Sequence, residues 1–123
     1  MRCIGFLCIW ALMDSELLKG TLSLLILSLL SRKPMYGYEI AATVHRDTDG
    51  SFTWREGSLY PSLHKMEADG LIVGEWEEKE TGRKRRYYQI TKKGKAALRE
   101  KVQSWTELCQ AVNRILEKSD GQP

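Results

Sequence analysis

The sequence is poor in the residues that metal centres and disulfide frameworks need. Its 123 residues include only 2 histidines and 3 cysteines, and His45 and His64 lie far apart along the chain. The spacing of Cys3, Cys8 and Cys109 matches no zinc-binding template. We therefore expect no metal, no cofactor and a reduced protein in the cytoplasm.

The chain also lacks the residue groups that catalyse reactions. No glycine-rich phosphate loop occurs, and neither histidine has a nucleophile or carboxylate at a catalytic spacing. The turn Asp47–Gly50 superficially resembles a calcium loop, but its glycine falls one place early and no glutamate closes it. We expect that the protein is not an enzyme.

No apolar run in the sequence is long enough to span a bilayer, which takes about 20 residues. The run from Cys3 to Met13 resembles a stunted signal peptide, but no small-residue cleavage site follows it. Met13 is followed by the helix-capping residues Asp14 and Ser15. We therefore interpret residues 1–12 as an N-terminal extension that is not native, and we expect no membrane partner.

The net positive charge is small, but basic residues are concentrated locally. The formal net charge is only +3, yet basic residues crowd the segment from Arg83 to Lys101, directly after the acidic stretch Glu75–Glu80. A basic block in a near-neutral chain is typical of a surface that binds a polyanion. A solvated helix and loop would have the same composition, so charge alone does not decide between the two.

Hydrophobic and turn patterns predict four helices and one β-hairpin. In the third helix Ser58 is the expected N-cap, Pro61 lies in the first turn, and Gly70 closes the C-terminus. The predicted elements are helices over Leu17–Leu30, Tyr36–Arg46 and residues 58–70, strands over Leu71–Lys79 and Arg85–Thr91, and a last helix over residues 92–118.

This order of elements predicts a winged helix-turn-helix over residues 13–91, a dimerisation helix over residues 92–118, and a disordered tail over residues 119–123. The third helix has an apolar face of Leu59, Leu63 and Met66. Its other side and the hairpin tip suit the major groove and the neighbouring phosphates of DNA. The DNA-facing residues are predicted to be Ser58, Tyr60, Pro61, Ser62, His64, Lys65, Arg83, Lys84, Arg85 and Arg86.

The last helix has an apolar stripe whose members recur at alternating intervals of four and three residues, as in a coiled coil. They are Leu98, Val102, Trp105, Cys109, Val112 and Leu116. We expect the stripe to form a contact between two subunits, and packing against the first helix of the same chain is the alternative. A thiol on such a stripe, that of Cys109, is expected to be inert.

Three segments resemble the PadR family of transcriptional regulators. They are MYGYEI (residues 35–40), GSLYPSLHKMEADGLI (57–72) and GRKRRYYQITKKGKAAL (82–98), and the resemblance covers about Leu17 to Leu116. It implies a homodimer, usually a repressor, with an N-terminal winged helix and a C-terminal dimerisation helix. The single C-terminal helix is similar to the short subfamily.

The resemblance also implies roles for individual residues. Tyr36 and Tyr38 would contact or buttress the DNA backbone, on an operator that is an inverted repeat. Trp105 would stack on a small aromatic or antimicrobial effector, with Leu17 and Leu18 as the opposite wall, although a simple packing role for Trp105 is the alternative. A winged-helix protein-interaction module without DNA binding is the other function that this sequence allows.

Overall fold

The computed structural model describes residues 21–52 and 56–120, and within them four helices surround a small antiparallel sheet. This confirms the predicted fold class, which is mainly helical with a β-hairpin. The elements are α1 (Leu22–Leu30), β1 (Met35–Tyr36), α2 (Gly37–Asp47), α3 (Glu56–Ala68), β2 (Ile72–Glu78), β3 (Lys84–Ile90) and α4 (Lys92–Asp120).

The sheet has a third strand, β1, that the sequence pattern did not predict. The strand order is β1-β3-β2, and Tyr88 at the centre of the sheet is paired with Met35 on one side and Gly74 on the other. A strand of two residues is too short to show a two-residue period, so only its pairing with β3 defines it.

The strand β1 shifts the start of the following helix. Tyr36 has an extended backbone (φ −79°, ψ 160°), and its N–H donates a hydrogen bond of 3.0 Å to Glu39 Oε1. The start of α2, predicted at about Tyr36, is Gly37 with Tyr36 as the N-cap, because the chain is still paired with β3 at Tyr36.

The helix α3 begins earlier than its sequence predicted. It starts at Glu56, so Ser58 is a helical residue rather than the N-cap, and Pro61 lies inside the helix rather than in its first turn. Its C-terminus is as predicted. Gly70 has a φ of +78°, and Leu71 N–H donates to the Met66 carbonyl at 2.9 Å, as in a Schellman motif.

One hydrophobic core lies between the helices and one face of the sheet. The predicted apolar face of α3 is confirmed, because Leu59, Leu63 and Met66 are all buried. The largest fully buried side chains are those of Ile26, Leu27, Ile40, Leu59, Leu63, Ile72 and Tyr88. Packing this face inward leaves the opposite face of α3 directed to solvent.

A tight junction joins α4 to the end of α3. Thr91 Oγ1 accepts a hydrogen bond of 3.0 Å from Gly94 N–H, and it lies 2.7 Å from the carbonyl oxygen of Gly70. A β-carbon at Gly94 would lie 2.1 Å from the carbonyl oxygen of Leu71, so only glycine fits. From this junction α4 runs along α1 and extends to Asp120, beyond the predicted boundary at residue 118.

Candidate nucleic-acid interface

The outward face of α3 exposes most of the side chains that were predicted to meet DNA. Tyr60, Pro61, His64 and Lys65 are exposed, and Ser62 is half-buried. The Lys65 ammonium lies 3.4 Å from a carboxylate oxygen of Asp69 in an exposed pair, which holds a lysine only weakly. The side chain of Ser58 lies outside the described part of the structure.

Tyr60 on α3 is seated against the first turn of α2. A β-carbon at the buried Gly37 would lie 2.8 Å from Tyr60 Oη, so the close approach of this ring requires glycine. Sequence reasoning missed Gly37, although a glycine at the first position of a helix, where other residues form helix more readily, was a usable signal.

The tip of the hairpin, which we call the wing tip, carries two cations. The loop is closed by Lys79 N–H donating to the Arg83 carbonyl at 2.9 Å, and Gly82 has a φ of +83°. Arg83 and Lys84 are exposed, and neither side chain forms an ion pair or hydrogen bond with any described residue. Both line a surface cavity of about 390 Å³ together with Tyr60, which brings the wing tip and α3 to one surface.

Arg85 points to the face of β3 opposite that of Lys84, and it contacts two tyrosines. Its Nη1 donates to Tyr38 Oη at 3.1 Å. Its guanidinium carbon lies 5.0 Å from the ring centroid of Tyr38 and 5.1 Å from that of Tyr36. These cation–π contacts join the hairpin to the first turn of α2. Arg85 therefore supports the position of the wing, while Tyr38 remains largely exposed.

Tyr36 is half-buried and contacts both strands of the hairpin. Its hydroxyl donates a hydrogen bond to Glu77, its ring centroid is 4.6 Å from that of Tyr87, and Lys79 Nζ is 5.3 Å from the ring. The hydrogen bond to Glu77 raises the pKa of Tyr36 to about 12. Tyr36 is therefore a neutral hydrogen-bond donor that holds β2 near β1.

Arg86 differs from the other three basic residues of the hairpin. Its Nη2 lies 2.5 Å from Glu67 Oε2 of α3, and its side chain is only 27% exposed. Because Tyr88 is buried and side chains alternate along a strand, Arg86 shares the core side of β3, whose outer end is at Lys84. This two-residue period was the signal that separates Arg86 from Arg85, which lies on the opposite face of β3.

An apolar stripe on α4 faces solvent. Of the six residues predicted to pair two subunits, Val102, Trp105 and Val112 are exposed, Leu98 and Leu116 are half-buried, and Cys109 is buried. Two further apolar residues are exposed on this helix. The α4 stripe, as defined by the structure, consists of Val102, Trp105, Leu108, Val112 and Ile115.

Cys109 does not have the free thiol that its sequence context predicted. The residue is 5% exposed and is disulfide-bonded. The expectation of an inert, reduced thiol at this position is therefore wrong. Cys3 and Cys8, together with the predicted ligand-wall residues Leu17 and Leu18, lie outside the described residues.

Comparison with known proteins identifies the family. The sequence profile of the transcriptional regulator PadR-like family matches residues 26–100, which include α2, α3 and the whole hairpin. The chain belongs to the PadR-like family of transcriptional regulators. This family match confirms the resemblance in the three sequence segments, and it confirms DNA-binding transcription regulation as the class of function.

Solved structures of PadR-like regulators share the fold. A transcriptional regulator from Clostridium thermocellum aligns with a TM-score of 0.76 and 31% identity, over 82% of this chain and 95% of that one. A PadR-like transcriptional regulator from Bacillus cereus aligns with a TM-score of 0.72 and 37% identity, over 83% and 97%. The winged helix-turn-helix that the sequence predicted is therefore shown.

Two curated proteins are also similar to this chain. An uncharacterised protein of Lysinibacillus sphaericus is 35% identical over 103 residues, which are 84% of this chain and 94% of that protein. The transcriptional regulator Rv3488 of Mycobacterium tuberculosis is 48% identical over 56 residues, which are 46% of this chain and 51% of that protein.

Within residues 21–52 and 56–120, no helix has both the length and the apolar composition that crossing a membrane requires.

Proposed function

We propose that this PadR-family regulator is a homodimeric repressor that binds an inverted-repeat operator and is released by a flat aromatic ligand. The single observation that carries the DNA-binding part is the shared surface of Tyr60, Arg83 and Lys84. It combines an exposed helix face with two exposed cations that form no ion pair or hydrogen bond with any described residue.

Each part of this surface suits a different part of a duplex. Pro61 and Ser62 have short side chains, which allow α3 to lie deep in the major groove. His64 and Lys65 are longer and exposed, and they reach base edges or phosphate oxygens. The wing tip contacts phosphates beside the groove, which supplies affinity but no sequence information.

The α4 stripe supports the homodimer. Its five apolar side chains include Leu108 and Ile115, which are 55% and 68% exposed in the isolated chain. A contiguous apolar helix face on a small domain is typical of a subunit contact. Two copies paired through α4 would present two α3 helices to successive major grooves, about 34–36 Å apart, and so would require an inverted repeat.

Trp105 supports the effector part of the proposal. It belongs to the α4 stripe and is 38% exposed, so its indole ring is available to stack on a flat aromatic molecule at the subunit contact. A ligand that binds there and favours another spacing of the two α3 helices lowers DNA affinity by linkage. Trp105→Ala would abolish release by such a ligand, whereas a packing role alone would leave the response unchanged.

Operator selection from random DNA, followed by a salt titration, tests the proposal. Lys65, Arg83 and Lys84 of two subunits would neutralise six phosphates, which gives a slope of log K against log salt of about −5. An inverted repeat and a steep slope are the expected results. A chain that binds no duplex at low salt would instead be a protein-interaction module.

A further inference from the structure

One carboxylate on α3 contacts both long strands of the hairpin. Glu67 Oε2 lies 2.5 Å from Arg86 Nη2 on β3 and accepts a hydrogen bond of 3.2 Å from Gly74 N–H on β2. The Glu67 side chain is 25% exposed, so both contacts are partly shielded from water. Charge-assisted hydrogen bonds of this kind are stronger than the exposed pair that Lys65 forms with Asp69.

Residues of the hairpin orient the Arg86 side chain towards the Glu67 carboxylate. The guanidinium carbon of Arg86 lies 5.3 Å from the ring centroid of Trp76 and 5.9 Å from that of Tyr88. The side chain passes over Gly74, where a β-carbon would lie 2.7 Å from Arg86 Nε. The two aromatic rings therefore direct Arg86 towards α3, and the glycine at position 74 leaves space for its side chain.

The part of the hairpin near the wing tip has little other sheet to support it. β1 pairs with β3 only at Tyr87 and Tyr88, so residues 84–86 and their partners on β2 form a two-stranded ribbon. Such a ribbon is marginally stable alone and twists readily. Arg85 holds one face of the ribbon to α2, and Arg86 holds the opposite face to α3.

We propose that Glu67 is a positioning residue for DNA binding, which fixes the angle between α3 and the wing. This inference rests on the proposed DNA interface. With the angle fixed, α3 and the cations of the wing tip meet the duplex together, and the cost of ordering the ribbon is not subtracted from the binding free energy. Glu67 itself touches no DNA in this arrangement, and it acts through Arg86 and the ribbon.

Two other roles for the pair predict different results. If the pair only stabilises the fold, its loss lowers the melting temperature and leaves the operator affinity of the folded protein unchanged. If Glu67 instead withholds Arg86 from phosphate, its loss makes DNA binding tighter and the salt dependence steeper.

A double-mutant cycle on operator affinity tests the proposal. Glu67→Gln retains an oxygen for Gly74 N–H and removes the charge that holds Arg86. In the otherwise unchanged dimer it is expected to weaken operator binding roughly tenfold and to reduce the salt slope. In a background that already has Arg83→Ala and Lys84→Ala, it is expected to have almost no effect, because the wing tip then has no phosphate contact to lose.

Two further variants give the cycle its control and its second probe. Asp69→Asn removes one negative charge just after the C-terminal end of α3 without touching the hairpin, and its effect should be equal in both backgrounds. Gly74→Ala displaces Arg86 without any change of charge. Like Glu67→Gln, it should weaken operator binding only in the background that retains Arg83 and Lys84. Equal losses for Glu67→Gln in the two backgrounds, or tighter binding, would overturn the positioning role. An unmodified protein that binds no DNA would instead contradict the proposed function.

Discussion

Tyr60 Oη lies 2.8 Å from the point that a β-carbon on Gly37 would occupy, so a residue of α3 is seated directly on the first turn of α2. The two residues are far apart in the sequence, and the glycine is buried. The position of Tyr60 on the candidate interface therefore depends on Gly37 having no side chain.

Gly37→Ala is expected to push the Tyr60 ring outward and to weaken operator binding about three- to tenfold, or roughly 1 kcal/mol. Stability should change little, because the clashing atoms are at the end of a side chain that can rotate. Fluorescence anisotropy with labelled operator gives the affinity, and urea unfolding gives the stability. The control is Ala42→Gly, at an exposed position of α2, which should cost about 0.5–1 kcal/mol in stability without changing the affinity.

Gly94→Ala is expected to destabilise the fold strongly, by about 3 kcal/mol or more. The β-carbon would lie 2.1 Å from a backbone oxygen of Leu71, which cannot rotate away, so α4 must shift. Urea unfolding measures the loss. Ala96→Gly, at an exposed position of the same helix, should cost only about 1 kcal/mol, and an equal effect of both changes would contradict the junction described for α4.

Tyr36 is expected to ionise at unusually high pH. Its hydrogen bond to Glu77 raises its pKa to about 12 from an ordinary value near 10. The pKa of Tyr36 is higher in the folded than in the unfolded state. The stabilisation of the fold by this hydrogen bond is therefore complete below about pH 10 and is lost as the pH rises towards 12. Phenolate absorbance during an alkaline titration measures this.

Glu77→Gln should lower the pKa of Tyr36 towards its ordinary value, because the negative partner is gone. Burial also raises the pKa of Tyr88, so Tyr36→Phe is needed to assign the late transition to Tyr36. A titration curve that Glu77→Gln leaves unchanged would contradict the hydrogen bond.

Joint replacement of Arg83 and Lys84 by alanine is expected to reduce the salt slope of operator binding. Two cations on each of two subunits account for four phosphates, so the slope should become less steep by about 3.6. The dimer and the melting temperature should not change, since neither side chain forms an ion pair or hydrogen bond with a described residue. Arg114→Ala, near the far end of α4, is the control that should leave the slope as it was.

Leu108→Glu is expected to separate the dimer into folded monomers. Leu108 is 55% exposed within one chain, so a carboxylate is tolerated there in the monomer, but it would be buried without a partner in a subunit contact. Analytical ultracentrifugation gives the mass, and circular dichroism shows whether the helices remain. A variant that stays dimeric would place the subunit contact elsewhere.

The wing shows where prediction from the sequence stops. Alternation and turn residues predicted the hairpin, and the structure has it over Ile72–Glu78 and Lys84–Ile90. The four consecutive basic residues of the hairpin were predicted to act alike. The structure assigns two to an open tip, one to tyrosines of α2 and β1, and one to Glu67 of α3.

Local chemistry accounts for what could be predicted. Helix periodicity, the glycine after α3 and the two strand runs are properties of neighbouring residues, so the sequence alone determined the order of the four helices and the hairpin and which face of α3 is buried. The pairing of β1 with β3, the seat of Tyr60 on Gly37 and the Glu67–Arg86 contact join residues that are distant in the chain. Only the packing of the elements decides such contacts, because their energies depend on distances that no local pattern contains.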